Sequence, residues 1–267
     1  MNHILVSESS YNIRKAARQS LAGNWKNAII TSLLFAAVTI LPAMFAVLIF
    51  GEHFGKAVGN LYALLVGGPF CFGISYFFLK LFRKQETKHS DVFYGFDFFI
   101  KALLLYLVTT IFIILWTLLF IIPGIVAAYR YRLAFLVLID NPNLSTMEAI
   151  NESKRLMSGN KSKLFFLDLS FIGWALLSCL TFGIGFIALL PYVYTATVVF
   201  YELCNGNISP RAVEINYGYK ENSQPLDNQF NQNSNQSNEN SSETTSTDTA
   251  DKQDVDVSNN SSEDSSI

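Results

Sequence analysis

Long apolar runs separated by short polar segments occupy the chain between residues 28 and 204. Two of these runs, residues 100–139 and 164–204, are each about twice as long as one membrane crossing: a continuous helix through either would extend ~60 Å, against a hydrocarbon thickness of ~30 Å. Glycine interrupts each run near its middle, in Ile122-Pro123-Gly124-Ile125 and in Phe182-Gly183-Ile184-Gly185. The pattern therefore predicts that each run folds back on itself as a helical hairpin.

The same length argument predicts an all-α, polytopic membrane helix bundle of about six transmembrane helices arranged as three hairpins. The predicted spans are residues 28–50, 61–82, 100–122, 125–139, 164–181 and 184–203. The fourth span reaches only ~22 Å, which is short for a full crossing. The tips of the second and third hairpins are apolar, so we expect them to lie below the level of the outer lipid headgroups.

Two shorter helices are predicted outside the spans. Residues 10–22 place apolar side chains at helical spacing beside three basic ones, which is typical of an interfacial helix within an N-terminal segment of residues 1–27. In the polar segment after the fourth span, Ser145 and Glu148 form a capping-box pattern. This pattern predicts an amphipathic helix over about 146–158, lying against the membrane or the bundle.

The basic residues indicate the orientation of these spans. With six spans, fifteen lysines and arginines fall in the inner segments, and only Lys56 falls in an outer loop. Because positive charge is enriched on the cytoplasmic side, we expect a multi-pass protein of the cell membrane with both termini in the cytoplasm. Residues 205–267 would then form a cytoplasmic tail. From about residue 221 it is acidic and nearly free of large apolar side chains, so we predict that this part is disordered.

The second and third hairpins also share a pattern of residues. Trp116 and the two leucines at 118 and 119, followed by Gly124-Ile125, align with Trp174, its two following leucines and Gly183-Ile184 when one gap is allowed. Apolar residues match easily by chance in membrane segments. An internal duplication and a chance similarity therefore both remain open.

The best candidate for function is Tyr129-Arg130-Tyr131-Arg132, inside the fourth span. A charged group in hydrocarbon is costly, so such residues usually face a bundle interior or a watery cavity. One interpretation is that at least one arginine binds an anionic group such as a lipid phosphate, with Tyr129 or Tyr131 as donors. The alternative is that both arginines extend toward the outer headgroups. Residues two apart on a helix point about 200° apart, so the two arginines should not share a face.

Other chemistry has little support in the sequence. The cysteines at 71, 179 and 204 have no paired spacing, and the histidines at 3, 53 and 89 lie far apart, so we predict no metal, no cofactor and no nucleic-acid partner. No nucleophile motif is present, so we predict a protein that is not an enzyme. Asp168 and Glu202 near the inner ends of the last two spans are expected to pair with interfacial lysines; a proton-coupled site is the alternative.

These observations favour a non-enzymatic membrane protein, an envelope or lipid-related scaffold whose partners are membrane lipids. The alternative is a small transporter or permease. Pro191 in the sixth span, with Pro123 and Gly124 in the second hairpin, could mark the discontinuous helices that form transporter sites.

Several motifs spread over residues 14–203 carry a resemblance to a known family. They are Arg14-x-x-Ala17-x-x-x-Leu21-x-Gly23-x-Trp25, Gly68-Pro69 with Gly73, Leu115-Trp116-x-Leu118-Leu119-x-x-Ile122-Pro123-Gly124-Ile125, Asp140-Asn141-Pro142, Ala149-Ile150-x-x-Ser153-x-x-x-Met157-x-Gly159, Leu169-Ser170-Phe171-Ile172-Gly173-Trp174, Gly183-Ile184-Gly185, Pro191-Tyr192 and Phe200-Tyr201. Through them the chain resembles a bacterial integral membrane family catalogued as domain of unknown function 975.

The resemblance implies structural roles and no established activity. The expected structural residues are Trp25, Pro69, Gly73, Trp116, Pro123, Gly124, Trp174, Gly183, Gly185 and Pro191. A more distant similarity, to the membrane portion attached to some glycerophosphodiester phosphodiesterases, implies only a connection with lipid metabolism.

Overall fold

The computed structural model of the protein describes residues 4–208, and the predicted disordered tail from residue 221 lies outside them. The all-α class is confirmed. The helices are α1 (Ser10–Leu21), α2 (Trp25–Phe82), α3 (Phe99–Leu119), α4 (Ile121–Tyr131), α5 (Ala134–Asp140), α6 (Thr146–Leu156), α7 (Lys161–Leu180) and α8 (Ile184–Asn205), with a 3₁₀ helix at His89–Phe96. Five helical segments of the described chain, counting α4 with α5, are long and apolar enough to cross a membrane.

The first hairpin is formed by α2 alone, which bends sharply at Gly51. This glycine has φ 78° and ψ 175°, a conformation that side chains rarely adopt. Beyond the bend the chain runs back along itself: the Tyr62 hydroxyl donates a hydrogen bond to the Val38 carbonyl at 2.8 Å. A Cβ added to Gly59 would lie 3.2 Å from that of Ala43. Residues 25–50 and 52–82 are therefore two antiparallel arms, and residues 52–60, predicted as a loop, are helical.

The second hairpin turns at Phe120, earlier than the Pro123-Gly124 break that the sequence predicted. Phe120 is extended, with φ −158° and ψ 146°, between the end of α3 and the start of α4. Pro123 lies in the first turn of α4, where a missing backbone N–H removes no helical hydrogen bond. Because α4 starts at Ile121 and α5 follows it after a short turn at residues 132–133, the candidate fourth span, Ile121–Asp140, has 20 residues and not 15. At ~30 Å it is long enough for a full crossing.

The third hairpin turns at Phe182 and Gly183, which both have positive φ, at 53° and 86°. Gly185 in α8 lies against Ser178 in α7, where an added Cβ would be 2.8 Å from the Ser178 Cα. Gly124 packs against Thr117 at the same 2.8 Å. Each turn thus places a glycine against a hydroxyl residue seven positions earlier. This geometry equates Gly124 with Gly185, whereas the sequence alignment equated it with Gly183.

Close packing also explains the motif residues Pro69 and Gly73. The 3₁₀ helix lies against the second arm of α2 so closely that a Cβ at Gly73 would overlap the Val92 carbonyl, and one at Gly95 would overlap the Pro69 carbonyl.

Pro191 does not break its helix, because α8 continues through it from Ile184 to Asn205. The discontinuity that the sequence suggested at Pro191 is therefore absent from α8.

The two short helices pack on the bundle. The apolar side of α1 is fully buried, comprising Ile13, Ala16, Ala17 and Leu21. The Tyr192 hydroxyl of α8 donates to the Arg14 carbonyl at 3.1 Å, so α1 lies beside α8. The capping box of α6 is formed as predicted, between Ser145 and Glu148. Ser153 of α6 is completely buried, and its hydroxyl donates to the Arg130 carbonyl at 2.8 Å.

One asparagine holds the N-terminal segment to the rest of the bundle. Asn160 is 1% exposed and precedes α7. Its carbonyl oxygen accepts from the Val6 amide, and its amide nitrogen donates to the Ile4 and Leu156 carbonyls, all at 2.8–2.9 Å. Because an unpaired buried polar group is costly, this contact fixes where the chain enters the bundle.

We expect Gly185→Ala to destabilise the protein, because its methyl group would push α7 and α8 apart at the turn. The expected loss is about 1–3 kcal/mol, typical of overpacking, measured as a lower midpoint of thermal unfolding in detergent. Gly173→Ala in α7 is the matched control, since nothing lies within 4 Å of its added Cβ. It should be neutral or slightly stabilising through helix propensity. Equal midpoints for the two variants would contradict the packing argument.

Candidate functional site

The segment Tyr129-Arg130-Tyr131-Arg132 lies where α4 ends and the chain makes a short turn before α5. Arg132 is eleven residues after Ile121 and eight before Asp140, so it lies ~17 Å and ~12 Å from the two ends of the span. The arginine is thus near the middle of a segment long enough to cross a membrane. Such a position requires a partner for the charge.

Asp168 of α7 is that partner. The Arg132 Nη1 lies 3.6 Å from the Asp168 Oδ2, and the Tyr129 hydroxyl donates to the same oxygen at 3.0 Å. The side chains of Arg132 and Asp168 remain 40% and 25% exposed. Asp168 therefore pairs within the spans and not with an interfacial lysine, as the sequence suggested. The ion pair offsets part of the cost of the two charges and leaves guanidinium donors accessible.

The other two residues of the segment face elsewhere. Arg130 is exposed. Tyr131 is 7% exposed and packs against Phe112, with ring centroids 6.0 Å apart. The Lys154 ammonium of α6 lies 5.7 Å from the Tyr131 ring centre. The structure thus brings Tyr129 and Arg132 together with Asp168, and it separates Arg130 and Tyr131 from that group, as the helical spacing of the two arginines requires.

Two cavities meet at Arg132. The first, of about 370 Å³, has a mainly apolar wall from α5 and α8 that also contains Arg132 and the polar residues Cys71 and Ser75 of α2 and Thr197 of α8. The second, of about 310 Å³, is lined almost entirely by apolar side chains of α7 and α8, including Phe171, Ile172 and Phe186. Both include Arg132, Val193 and Tyr194 in their walls. A cation between a partly polar cavity and an apolar one is suited to a ligand with an anionic group and a hydrocarbon part.

A second charged cluster joins the ends of the hairpins. Arg83, directly after α2, makes two parallel hydrogen bonds to Asp140 at 2.7 and 2.8 Å and a third to Glu202 at 2.7 Å. The Tyr201 hydroxyl also donates to Asp140, at 2.8 Å. Glu202 is 2% exposed, so its charge is compensated entirely within the protein. This group, Arg83, Asp140, Tyr201 and Glu202, is called the inner cluster below.

The sequence predicted an ion pair at Glu202 but not the residues with which it pairs. Sequence reasoning expected Glu202 to pair with a lysine at the interface, but its partner is Arg83. The lysines it considered bind elsewhere, Lys80 to Asp91 and Lys101 to the Pro142 carbonyl. The motif Asp140-Asn141-Pro142 was the available signal for Asp140. Hydrogen bonds, first to Asp140 and then to Glu202, raise the pKa of Arg83 above its ordinary value against the opposing effect of burial.

The helices and the paired arginine define the class of this protein. Hairpins of long apolar helices, carrying large exposed apolar side chains such as Leu118 and Phe182 and a compensated charge within a span, are features of a multi-pass helical membrane protein. No group of three possible metal ligands occurs within residues 4–208.

Comparison with known proteins gives the family. Two overlapping stretches, residues 1–134 and 118–207, match the family described as protein of unknown function (DUF975), and the chain belongs to that family. The search of the curated proteins found no match. The search of the solved structures found none either. The distant similarity to glycerophosphodiester phosphodiesterase membrane portions is therefore not shown.

Replacing Arg83 with methionine should strongly destabilise the bundle, because it would leave Asp140 and Glu202 as unpaired carboxylates. Breaking a buried ion pair from one side costs on the order of 3 kcal/mol, which thermal unfolding in detergent would detect. Arg155→Met is the matched control, because Arg155 pairs with Glu152 on the same helix and both are about one-third exposed. Its effect should stay below about 1 kcal/mol. Similar losses in both variants would argue against a special role for the inner cluster.

Proposed function

We propose that this is a non-enzymatic, multi-pass protein of the cell membrane that binds an anionic lipid at Arg132 and acts as a lipid-related scaffold of the cell envelope. The observation that carries the proposal is the position of Arg132 between a partly polar cavity and an apolar one. In this arrangement the phosphate of the lipid contacts the guanidinium, and an acyl chain occupies the cavity lined by Phe171, Ile172 and Phe186.

The charge balance at Arg132 supports an anionic ligand. Asp168 contacts the guanidinium at 3.6 Å through one oxygen, without the two parallel hydrogen bonds that Asp140 accepts from Arg83. A guanidinium has five N–H donors, so most of those of Arg132 remain for a ligand. Phosphate oxygens accept such donors in a strong, charge-assisted geometry. The ligand would complete the hydrogen bonding that Asp168 leaves incomplete.

The surroundings of the site fit a membrane lipid better than a water-soluble anion. Side chains on the outer side of α7 and α8 are apolar and exposed, including Trp174, Leu176 and Leu190. A lipid can reach the cavity beside Phe186 from the hydrocarbon without passing through water. We propose the cytoplasmic orientation of both termini on the basis of the basic segments, which anionic headgroups on that side would also attract.

The proposal is tested by the lipid that stays bound to the purified protein. After solubilisation from vesicles of equal phosphatidylglycerol and phosphatidylcholine, native mass spectrometry should show retained phosphatidylglycerol on the wild type. Arg132→Gln should remove one retained phosphatidylglycerol per protein, because losing one charge-assisted hydrogen bond of about 1.5 kcal/mol lowers the affinity of this site roughly tenfold. Arg130→Gln, which removes an exposed arginine two residues away, should not.

A second variant provides the control for misfolding. Arg132→Gln with Asp168→Asn removes both charges, so that no unpaired carboxylate remains, while the amides can still hydrogen-bond. If this double variant folds and retains phosphatidylglycerol like the wild type, the proposal is wrong.

A transporter remains the second candidate, supported by the cavity that Cys71, Ser75 and Thr197 line inside the bundle. The polar groups in its mainly apolar wall are the feature that a permeation path requires and a scaffold does not. The turn between α4 and α5 at Arg132 and Leu133 gives a broken helix beside that cavity, whereas α8 is continuous.

Thiol labelling distinguishes the two candidates. The test uses a variant with Cys179→Ser and Cys204→Ser, in which Cys71 is the remaining cysteine. If a transport path opens, Cys71 should react with an impermeant, water-soluble thiol reagent added from either side of the membrane. A lipid-binding scaffold predicts protection from both sides. A membrane-permeant thiol reagent provides the control that Cys71 is chemically reactive in this background.

A further inference from the structure

A second groove lies on another side of α8, between α1, the start of α2 and the α7–α8 hairpin. Its volume is about 330 Å³, within the range of small-molecule sites. It shares only Leu189 with the apolar cavity beside Arg132. Arg132, Asp168 and the apolar residues Phe171, Ile172 and Phe186 do not line it, so the groove is a separate site.

The floor of the groove is apolar and its mouth is aromatic. Leu177, Ala188 and Leu189 form the floor. The hydroxyls of Ser178 and Thr181 donate to carbonyls of their own helix, at 2.8 and 2.9 Å, so they offer no donor to a ligand. Trp25 is half-buried, and Trp174 is 51% exposed. The groove therefore presents hydrocarbon and indole surface along most of its length, which suits an acyl chain.

A basic residue, Arg18, lies at one end of the groove. Arg18 lines it, and Arg14 lies one helical turn earlier on α1, where its carbonyl accepts from Tyr192. Tyr192 is eight residues into α8, ~12 Å from the start of that apolar helix. Within the described residues neither arginine makes an ion pair. Cations beside an apolar helix need a compensating anion, and residues 4–208 supply none within ion-pair distance.

We propose that this groove, termed the α1 groove, binds one acyl chain of an anionic phospholipid whose phosphate contacts Arg18. Charge complementarity identifies the occupant. The Arg18 side chain hydrogen-bonds Tyr192 but has no anionic partner among the described residues, so the apolar channel ends at an uncompensated cation, as a lipid places a hydrocarbon chain next to a phosphate. This site is additional to the one at Arg132. It also gives α1 a role, since the helix supplies the cation while its opposite, apolar side is buried in the bundle.

Tryptophan fluorescence can report on the α1 groove directly. The chain contains three tryptophans, and Trp25 and Trp174 both line the groove. In a Trp116→Phe variant, all tryptophan emission therefore comes from the groove. The protein is reconstituted in vesicles of equal phosphatidylglycerol and phosphatidylcholine, with brominated chains on either the first or the second lipid. Bromine quenches indole on contact, so background quenching by bulk lipid is the same in both arms.

We expect stronger quenching when the phosphatidylglycerol is brominated, corresponding to a preference of roughly tenfold at the site for the anionic lipid. Arg18→Gln should abolish that preference, so that quenching by brominated phosphatidylglycerol falls and quenching by brominated phosphatidylcholine rises until the two are equal. Ala188→Phe, which fills an exposed position of the groove, should reduce quenching in both arms. Equal quenching by the two brominated lipids, or a preference that survives Arg18→Gln, would overturn the proposal.

The same assay separates this site from the one at Arg132. Arg132→Gln should leave the quenching preference intact, because Arg132 does not line the α1 groove. Loss of the preference in Arg132→Gln but not in Arg18→Gln would mean that the two tryptophans sense lipid bound at the other site, and the α1 groove would then be rejected.

Discussion

The bundle depends on the inner cluster, because Arg83 is the residue in which all three hairpins meet. It follows α2, while its acceptors Asp140 and Glu202 belong to the last helix of the second hairpin and of the third. Between helices in a membrane, burial of apolar surface contributes little to association, since lipid is as apolar as the side chains. Packing and polar contacts must therefore determine which helices adjoin. A guanidinium with fixed, planar donors is suited to this, because it fixes both the partners and their orientation.

The same constraint explains the polar residues inside the bundle. Backbone groups that a turn or a kink releases in an apolar region must find partners. Ser153 of α6 donates to the Arg130 carbonyl next to the turn between α4 and α5, and Asn160 binds the backbone of the N-terminal segment at Ile4 and Val6. Each polar side chain thus couples a soluble element to a membrane helix, so α1 and α6 belong to the folded unit and are not accessory pieces.

Length and apolar periodicity were sufficient to predict the helical class and the hairpins, but they could not place the turns. Proline and glycine at 123 and 124 indicate a break in the helix, but proline is also favoured in the first turn of a helix. In the structure Phe120 has the extended conformation, and the turn lies there. Tyr129 and Arg132 were found because polar residues are rare in apolar runs. Their partner Asp168 was expected to bind a lysine, because the sequence does not reveal how far one helix is rotated against another. The two cavities depend on that rotation, and no local pattern indicates them.

Helix α8 is the common wall of both proposed lipid sites. Tyr192 faces Arg14 and Arg18 of α1, whereas the next two residues, Val193 and Tyr194, line the cavities at Arg132. Consecutive positions on a helix point about 100° apart, so the two arginine sites lie on different sides of the same turn of α8. The helix is continuous through Pro191, and the Thr195 hydroxyl donates to the Pro191 carbonyl at 2.8 Å. A rigid α8 would hold two anionic lipids at a fixed separation on its two sides, and bound lipid would then reinforce the packing of α1 and α4 against the same helix. Lipid binding and bundle stability are in this view one property, which is what a scaffold requires and what a transporter, whose helices must move, would have to avoid.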